Sequence, residues 1–299
     1  MGKMFRGCGT ALVTPFFADA DRSVDFDAFA ALVRQQVEGR VDFLVPLATT
    51  SETPSLAPDE KLELLRIARA NCDGLPLMVG VGSNSFPGTL ANIDFVCAGP
   101  VRPDALLVVV PFYNKPTQQG QYEYFKAVAE STDIPIIIYN VPGRTGANML
   151  PDTVLRLAAD CPGIVGIKEA SGNYSQVSEI VRRAPQDFSV LSGDDDMTFA
   201  FMATGADGVI SVASNALPAE VSKMTRLAAR NDFVSARELH HRLSPFFKAC
   251  FVESNPIPVK AAMSLLGQCG STVRLPLSQP SESTFALMER TLTALGYLK

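Results

Sequence analysis

The chain has 299 residues, 47% of them hydrophobic and 19% charged, with a formal net charge of −5. That composition is ordinary for a globular protein long enough to bury a large core. Acidic and basic residues are interspersed, so nothing points to nucleic acid or an anionic membrane, and the longest apolar runs fall far short of a membrane span.

The first residues, Met1 to Gly7, contain no apolar segment of the kind that makes a secretory signal, and Arg6 stands where a myristoylation pattern needs Ser or Thr. The six cysteines (Cys8, Cys72, Cys97, Cys161, Cys250 and Cys269) are far apart and form no CxxC pair. That pattern suits free thiols in a reducing compartment. A cytoplasmic protein is expected.

In chain order, residues 10–14 predict a first strand. A helix follows over 25–37, with Phe26, Phe29, Leu32 and Val33 on one face and Asp25 or Asp27 as cap. A second strand is expected at 42–47, then a helix opened by Pro58-Asp59-Glu60. Residues 75–81 predict strand three. The helix over 84–98 carries the weakest pattern, because Pro87 and Gly88 interrupt it. Strands at 105–111, 134–140, 164–169, 189–193 and 208–212 alternate with helices at 122–130, 151–159, 174–183, 197–203 and 218–229.

Each strand is apolar along nearly its whole length, which fits parallel strands covered on both faces. Eight strand–helix units predict an α/β protein with a (β/α)8 TIM barrel. A doubly wound nucleotide-binding sheet needs a glycine fingerprint after its first strand, and none stands there. The barrel is expected over 1–229. Helical spacing at 233–251, 257–266 and 283–295 predicts a C-terminal helical extension, 230–299, packed on it.

In such a barrel, chemistry belongs at the C-terminal ends of the strands. Those ends carry Thr49-Thr50, Tyr113, Tyr139-Asn140, Arg144, Lys168-Glu169 and Gly193-Asp194. Lys168 follows the apolar Ile164-Val165-Gly166-Ile167, and burying an ammonium is costly unless it is paired or neutral. A desolvated, neutral lysine is a nucleophile toward ketones; a structural pair with Glu169 or another carboxylate is the competing reading. Tyr139 would serve as a proton donor and acceptor beside it, or sit as a rim tyrosine. Thr49 and Thr50 suit a carboxylate, or a turn. Arg144 suits a second carboxylate, or solvent.

Other chemistries fit poorly. His240 and His241 are adjacent on a predicted helix and face apart, so no metal site is expected there. Asp194-Asp195-Asp196 precedes a helix and reads as N-terminal capping. Gly80-Val81-Gly82 is a weak nucleotide signal, and phosphate loops and GxSxG elbows are absent.

Two loop motifs carry a resemblance: Tyr139-Asn140-Val141-Pro142-Gly143-Arg144-Thr145-Gly146 and Gly166-Ile167-Lys168-Glu169-Ala170-Ser171-Gly172. With Pro111 to Pro116 and Asn255 to Lys260, they make the chain resemble, over essentially its whole length, the dihydrodipicolinate synthase family. That family lies within the N-acetylneuraminate lyase superfamily. The resemblance implies a cofactor-free lyase joining pyruvate to L-aspartate-4-semialdehyde in lysine and diaminopimelate biosynthesis, as a homotetramer of dimers. A pyruvate-dependent aldolase of the superfamily, acting on a sugar acid or related 2-oxo acid, is the alternative.

By that resemblance, Lys168 forms an imine with pyruvate. Tyr139, Thr50 and Tyr113 relay protons, Tyr113 from a neighbouring subunit. Thr49 and Thr50 hold the pyruvate carboxylate, and Arg144 that of the semialdehyde. Gly193 and the carbonyl of Ile210 line the pocket. Two departures stand out. The family's Gly-Thr-Thr-Gly-Glu reads Ala48-Thr49-Thr50-Ser51-Glu52, which predicts a tighter or differently posed loop. At the lysine feedback site of some members, Asn84 is kept, but Gly88, Phe112 and Lys61 replace an acid, a tyrosine and a histidine. Bound lysine would then lack an ammonium partner, so weak or absent feedback is expected.

Overall fold

The computed structural model describes residues 3–299. Its strands are β1 (Gly7–Ala11), β2 (Phe43–Val45), β3 (Met78–Gly80), β4 (Ala105–Val109), β5 (Ile136–Asn140), β6 (Ile164–Glu169), β7 (Ser189–Ser192) and β8 (Gly208–Ser211). All pair in parallel, in the order β2-β1-β8-β7-β6-β5-β4-β3. A parallel bridge between Leu44 and Leu77 joins the two ends of that order, so the sheet closes into a (β/α)8 barrel.

The helices of the barrel units are α1 (Phe26–Glu38), α2 (Pro58–Asn71), α3 (Phe86–Cys97), α4 (Gln118–Glu130), α6 (Pro151–Asp160), α7 (Tyr174–Arg183), α8 (Thr198–Thr204) and α9 (Pro218–Ala229). A short extra helix, α5 (Pro142–Thr145), stands where the Pro-Gly sequence reads as loop. Three helices follow: α10 (Phe233–Ala249), α11 (Ile257–Leu265) and α12 (Glu282–Leu295). They pack on one another and on α8 and α9.

Alternation along the strands divides the apolar residues into two bodies. Ile137, Tyr139, Leu191 and Ile210 face inward with Phe5, Phe43 and Met78 and fill the barrel. Ile136, Ile138, Ile167 and Val209 face outward, against the helices. Strands buried on both faces have no polar side to alternate with, which is why they read as continuous apolar runs.

Three boundaries differ from the sequence pattern. The first strand lies at Gly7–Ala11, earlier than expected, because glycines obscure it. Gly9 is required there: a Cβ would stand 2.0 Å from Cε2 of Phe43, whose ring packs edge-on to Phe5 at 5.1 Å. α3 forms despite Pro87 and Gly88, since Pro87 sits in the first turn and the Ser85 side chain caps it by accepting from Gly88 N at 3.2 Å. α4 starts four residues before the apolar pattern does, at Gln118, capped by Thr117.

One buried ion pair ties the C-terminal helices to the barrel mouth. Lys260, on α11, is inaccessible to solvent, and its Nζ donates to Glu52 Oε1 and to Thr272 O, each at 2.7 Å. The same ammonium stands 4.2 Å from the Phe16 ring centroid. Glu52 Oε2 accepts from Arg274 N at 2.9 Å, and Arg274 makes a two-pronged contact with Glu60. Both charges are thus desolvated but fully engaged, the one condition under which a buried pair is tolerable. Removing one partner strands the other. Lys260→Met should lower unfolding free energy by about 3–5 kcal/mol, measured by urea denaturation of the full chain. A loss below about 1 kcal/mol would show that the pair contributes little beyond an exposed one.

Candidate active site

The register of β5 against β6 builds the centre of the site. Tyr139 pairs with Lys168, and Asn140 with Glu169. Successive strand residues point to opposite faces, so Tyr139 and Lys168 enter the barrel together while Asn140 and Glu169 turn outward. Lys168 Nζ lies 4.2 Å from the centroid of the Tyr139 ring.

Glu169 is therefore no partner for its neighbour. Its carboxylate sits in a cage of donors: Asn140 Nδ2 at 3.2 and 3.0 Å, Gln176 Nε2 at 2.9 Å and Ser171 N at 2.8 Å. Asn148 extends the cage, since its Oδ1 accepts from both Asn140 and Gln176. The lysine keeps only distant charges. Burial drives its amine down to about 7, opposed by the charge of Asp195 and reinforced by that of Arg144. Burial also pushes the Tyr139 phenol above its ordinary value, while Arg144 and a hydrogen bond with the Thr49 side chain work the other way.

The two threonines have different surroundings. Both lie in a 3-10 turn, Thr49–Ser51, after β2. Thr49 is exposed toward the mouth and meets Tyr139; Thr50 is buried, and its Oγ1 accepts from Asn255 Nδ2 at 2.9 Å. The two departures from the glycine pattern are absorbed locally. Ala48 has an extended backbone, φ −90 and ψ −172, open to any residue. Ser51 gains a bond, its Oγ donating to Leu12 O at 2.6 Å. The loop closes on Glu52 in the left-handed region, φ 54.

Gly193, just after β7, leaves Lys168 its space. A Cβ there would stand 2.6 Å from the Ala170 Cβ and 3.1 Å from Lys168 Cε. Ile210 is buried in the inner core, near Tyr139 and Leu191. Arg144 sits in the last turn of α5 and, with Thr49 and Tyr139, lines a cavity of ≈ 530 Å³ at the mouth. Lys168 does not line it, but its Nζ lies against the ring of Tyr139, which does. On its far side the cavity reaches Lys61, Ser83, Asn92 and Phe112.

Tyr113 is not brought to this centre. It is 87% exposed at the rim, on a left-handed backbone with φ 74, and its N–H is tied to Thr145 O at 3.2 Å. Within the acidic run, Asp194 Oδ1 accepts from Asp196 N at 3.0 Å, whereas Asp195 caps no helix. Asp195 Oδ2 accepts from Val212 N and Ala213 N, each at 3.0 Å, and so fixes the turn after β8; α8 is entered through Met197 with no side-chain cap.

The sequence model of the Dihydrodipicolinate synthetase family matches residues 4–295. The chain belongs to that family. It is 46% identical to a curated 4-hydroxy-tetrahydrodipicolinate synthase from Phocaeicola vulgatus, over 97% of each chain. The crystal structure of dihydrodipicolinate synthase from Thermotoga maritima superposes with a TM-score of 0.95 at 43% identity, covering 99% of this chain and 100% of that one. A monomeric dihydrodipicolinate synthase variant matches equally well, with TM-score 0.95 and 43% identity over 99% and 98% of the two chains.

The sequence pattern assigns Lys168, Tyr139, Thr49 and Arg144 to one mouth; Thr49, Tyr139 and Arg144 line its cavity, and Lys168 lies against the Tyr139 ring. It gave no role to Asn255 or to the Glu52–Lys260 pair. A charged residue inside the apolar helix Ile257–Leu265 was the available signal.

With its amine held at about 7, Lys168 is mostly ammonium below that pH and mostly free amine above it. The rate of carbonyl capture should therefore rise about tenfold per pH unit up to neutrality and then level off. Reductive trapping over a pH series measures this. A rate still climbing at pH 9–10, where about 10.4 is the ordinary lysine value, would show an amine that burial has not perturbed.

Proposed function

We propose that Lys168 is the amine that captures pyruvate, at the centre of a site that joins it to L-aspartate-4-semialdehyde. The chain carries the activity its curated relatives are named for, the synthesis of 4-hydroxy-tetrahydrodipicolinate, and is a lyase of lysine and diaminopimelate biosynthesis. The sugar-acid aldolase alternative is not favoured, because relatives at 42–46% identity carry the synthase name. The observation that carries the assignment to Lys168 is a buried lysine with no adjacent carboxylate, its amine near 7, against a tyrosine ring.

The chemistry follows from those groups. The free amine attacks C2 of pyruvate, and the carbonyl oxygen takes a proton to give a carbinolamine. A second proton on that oxygen lets water leave, and the imine remains. Loss of a methyl proton makes the enamine, whose carbon attacks the aldehyde of the second substrate. The amino group of that substrate then displaces Lys168, closing the ring and releasing the enzyme. Tyr139 is placed to move these protons. The Thr49 side chain is the hydroxyl that acts on the Tyr139 phenol, so the relay we propose runs through Thr49 where the resemblance suggested Thr50. Thr49 and Thr50 would share the pyruvate carboxylate, Arg144 would hold that of the semialdehyde, and Gly193 and the Ile210 carbonyl would border the pocket.

We also propose a homotetramer built from dimers, in the cytoplasm. The exposed Tyr113, on a costly left-handed backbone, supports a residue shaped to enter a neighbouring subunit's site. No described helix is long and apolar enough to cross a membrane.

Borohydride added with pyruvate should leave a reduced adduct on the peptide containing Lys168, seen by mass spectrometry and lost in Lys168→Ala. A folded protein that gives no adduct would remove the imine mechanism. Feedback by lysine should be weak or absent. Lys61 lines the cavity, burial holds its amine below the ordinary value, and Gly88 supplies no carboxylate for the ammonium of a bound lysine. Steady-state assays showing strong inhibition at sub-millimolar lysine would contradict this.

A further inference from the structure

We propose that Asn255, at the entry to α11, is a positioning residue for pyruvate: its amide donates to the Thr50 hydroxyl and so leaves that hydroxyl's hydrogen free for the substrate carboxylate. The inference rests on the reading that Thr50 helps hold that carboxylate.

A hydroxyl has one hydrogen to give and two lone pairs to accept with. Its neighbours in the loop spend their hydrogen on fixed carbonyls. Ser51 donates to Leu12 O at 2.6 Å, Thr14 to Ser51 O at 2.8 Å and Thr53 to Ala48 O at 2.9 Å. Such hydroxyls hold the backbone and have nothing left to offer a ligand. Thr50 is different, because it is met by a donor. Asn255 Nδ2 reaches its Oγ1 at 2.9 Å, and both side chains are buried. The amide occupies a lone pair and orients the hydroxyl, so the hydrogen must point elsewhere.

The rest of the amide argues against a purely structural role. Asn255 Oδ1 is buried and has no partner among the described residues. An amide kept for stability alone would have its acceptor matched, since burying an unmatched one costs free energy. The surrounding framework fixes the distance between the two residues. Lys260, one turn into α11, grips Glu52, two residues after Thr50, and Arg274 N holds the second oxygen of the same carboxylate. The donor and the hydroxyl it serves are thus braced by an independent contact.

Two substitutions separate this role from packing. An ionised aspartate at the same place accepts only. Asn255→Asp would draw the Thr50 hydrogen to itself and set a negative charge near the pyruvate carboxylate. Asn255→Ala would leave a small void but let Thr50 keep its hydrogen. In steady-state assays of the full chain at pH 8, Asn255→Asp should raise the KM for pyruvate by about tenfold or more, the scale of one charge-assisted hydrogen bond. Asn255→Ala should raise it less, and neither should change the KM for the semialdehyde. A packing role reverses the order, with the isosteric aspartate milder than alanine, and that order would overturn the proposal.

Should the aspartate variant fail to fold, the coupling between Asn255→Ala and Thr50→Val decides. The alanine effect on pyruvate KM should vanish when Thr50 is already valine; full additivity would overturn the proposal. Thr50→Val alone tests the underlying reading. If it leaves the pyruvate KM unchanged, the assignment of Thr50 to the carboxylate fails. A raised KM with additive Asn255 effects sinks only the inference about Asn255.

Discussion

A parallel strand pair allows only one face per residue, and the register of β5 on β6 makes that restriction decisive. With Tyr139 opposite Lys168, one step along both strands puts Asn140 opposite Glu169. The inner pair meets the barrel lumen, and the outer pair meets the helices. A shift of one residue in β6 would exchange its two residues, sending the Glu169 carboxylate into the lumen beside Tyr139 and Lys168 outward among the amides. The lowered basicity of Lys168 depends on its carboxylate neighbour being held away. The amides of Asn140 and Gln176 do this by giving Glu169 a better place to be.

The electrostatics of the mouth follow from the same separation. A lysine with a carboxylate in contact stays an ammonium, and a lysine in an apolar lumen loses its proton. Asp195 lies near enough to temper that loss, but its own oxygens are engaged with the turn after β8. Arg144, at the rim, acts on both Lys168 and Tyr139 and favours the amine and the phenolate alike. The low basicity of the lysine thus comes from a balance of burial and remote charge.

The barrel was legible in the sequence because eight apolar runs can be covered on both sides only by helices. Lys168 was legible for the same reason: a charge at the end of such a run needs an explanation. What stayed hidden lacked a local signature. The early start of β1 is masked by Gly7 and Gly9, which leave room for Asp42 and Phe43 respectively. The first turn of α4 is all polar. The separate surroundings of Thr49 and Thr50 arise from Tyr139 and Asn255, contacts across 90 and 205 residues that no spacing rule reports. Asp195 departs from the capping pattern because its helix begins two residues too late for it to cap, so the carboxylate serves another strand.

The bond between Glu52 and Lys260 spans 208 residues of chain. During synthesis, the loop bearing both threonines leaves the ribosome long before the lysine that steadies it. The eight strands are all made by Ser211, yet the loop's acid has no counter-charge until α11 arrives. Closing so long a loop is slow and comes late in folding. The nascent barrel can therefore be assembled well before its mouth is braced, and the fixed shape of that loop is among the last properties the chain acquires.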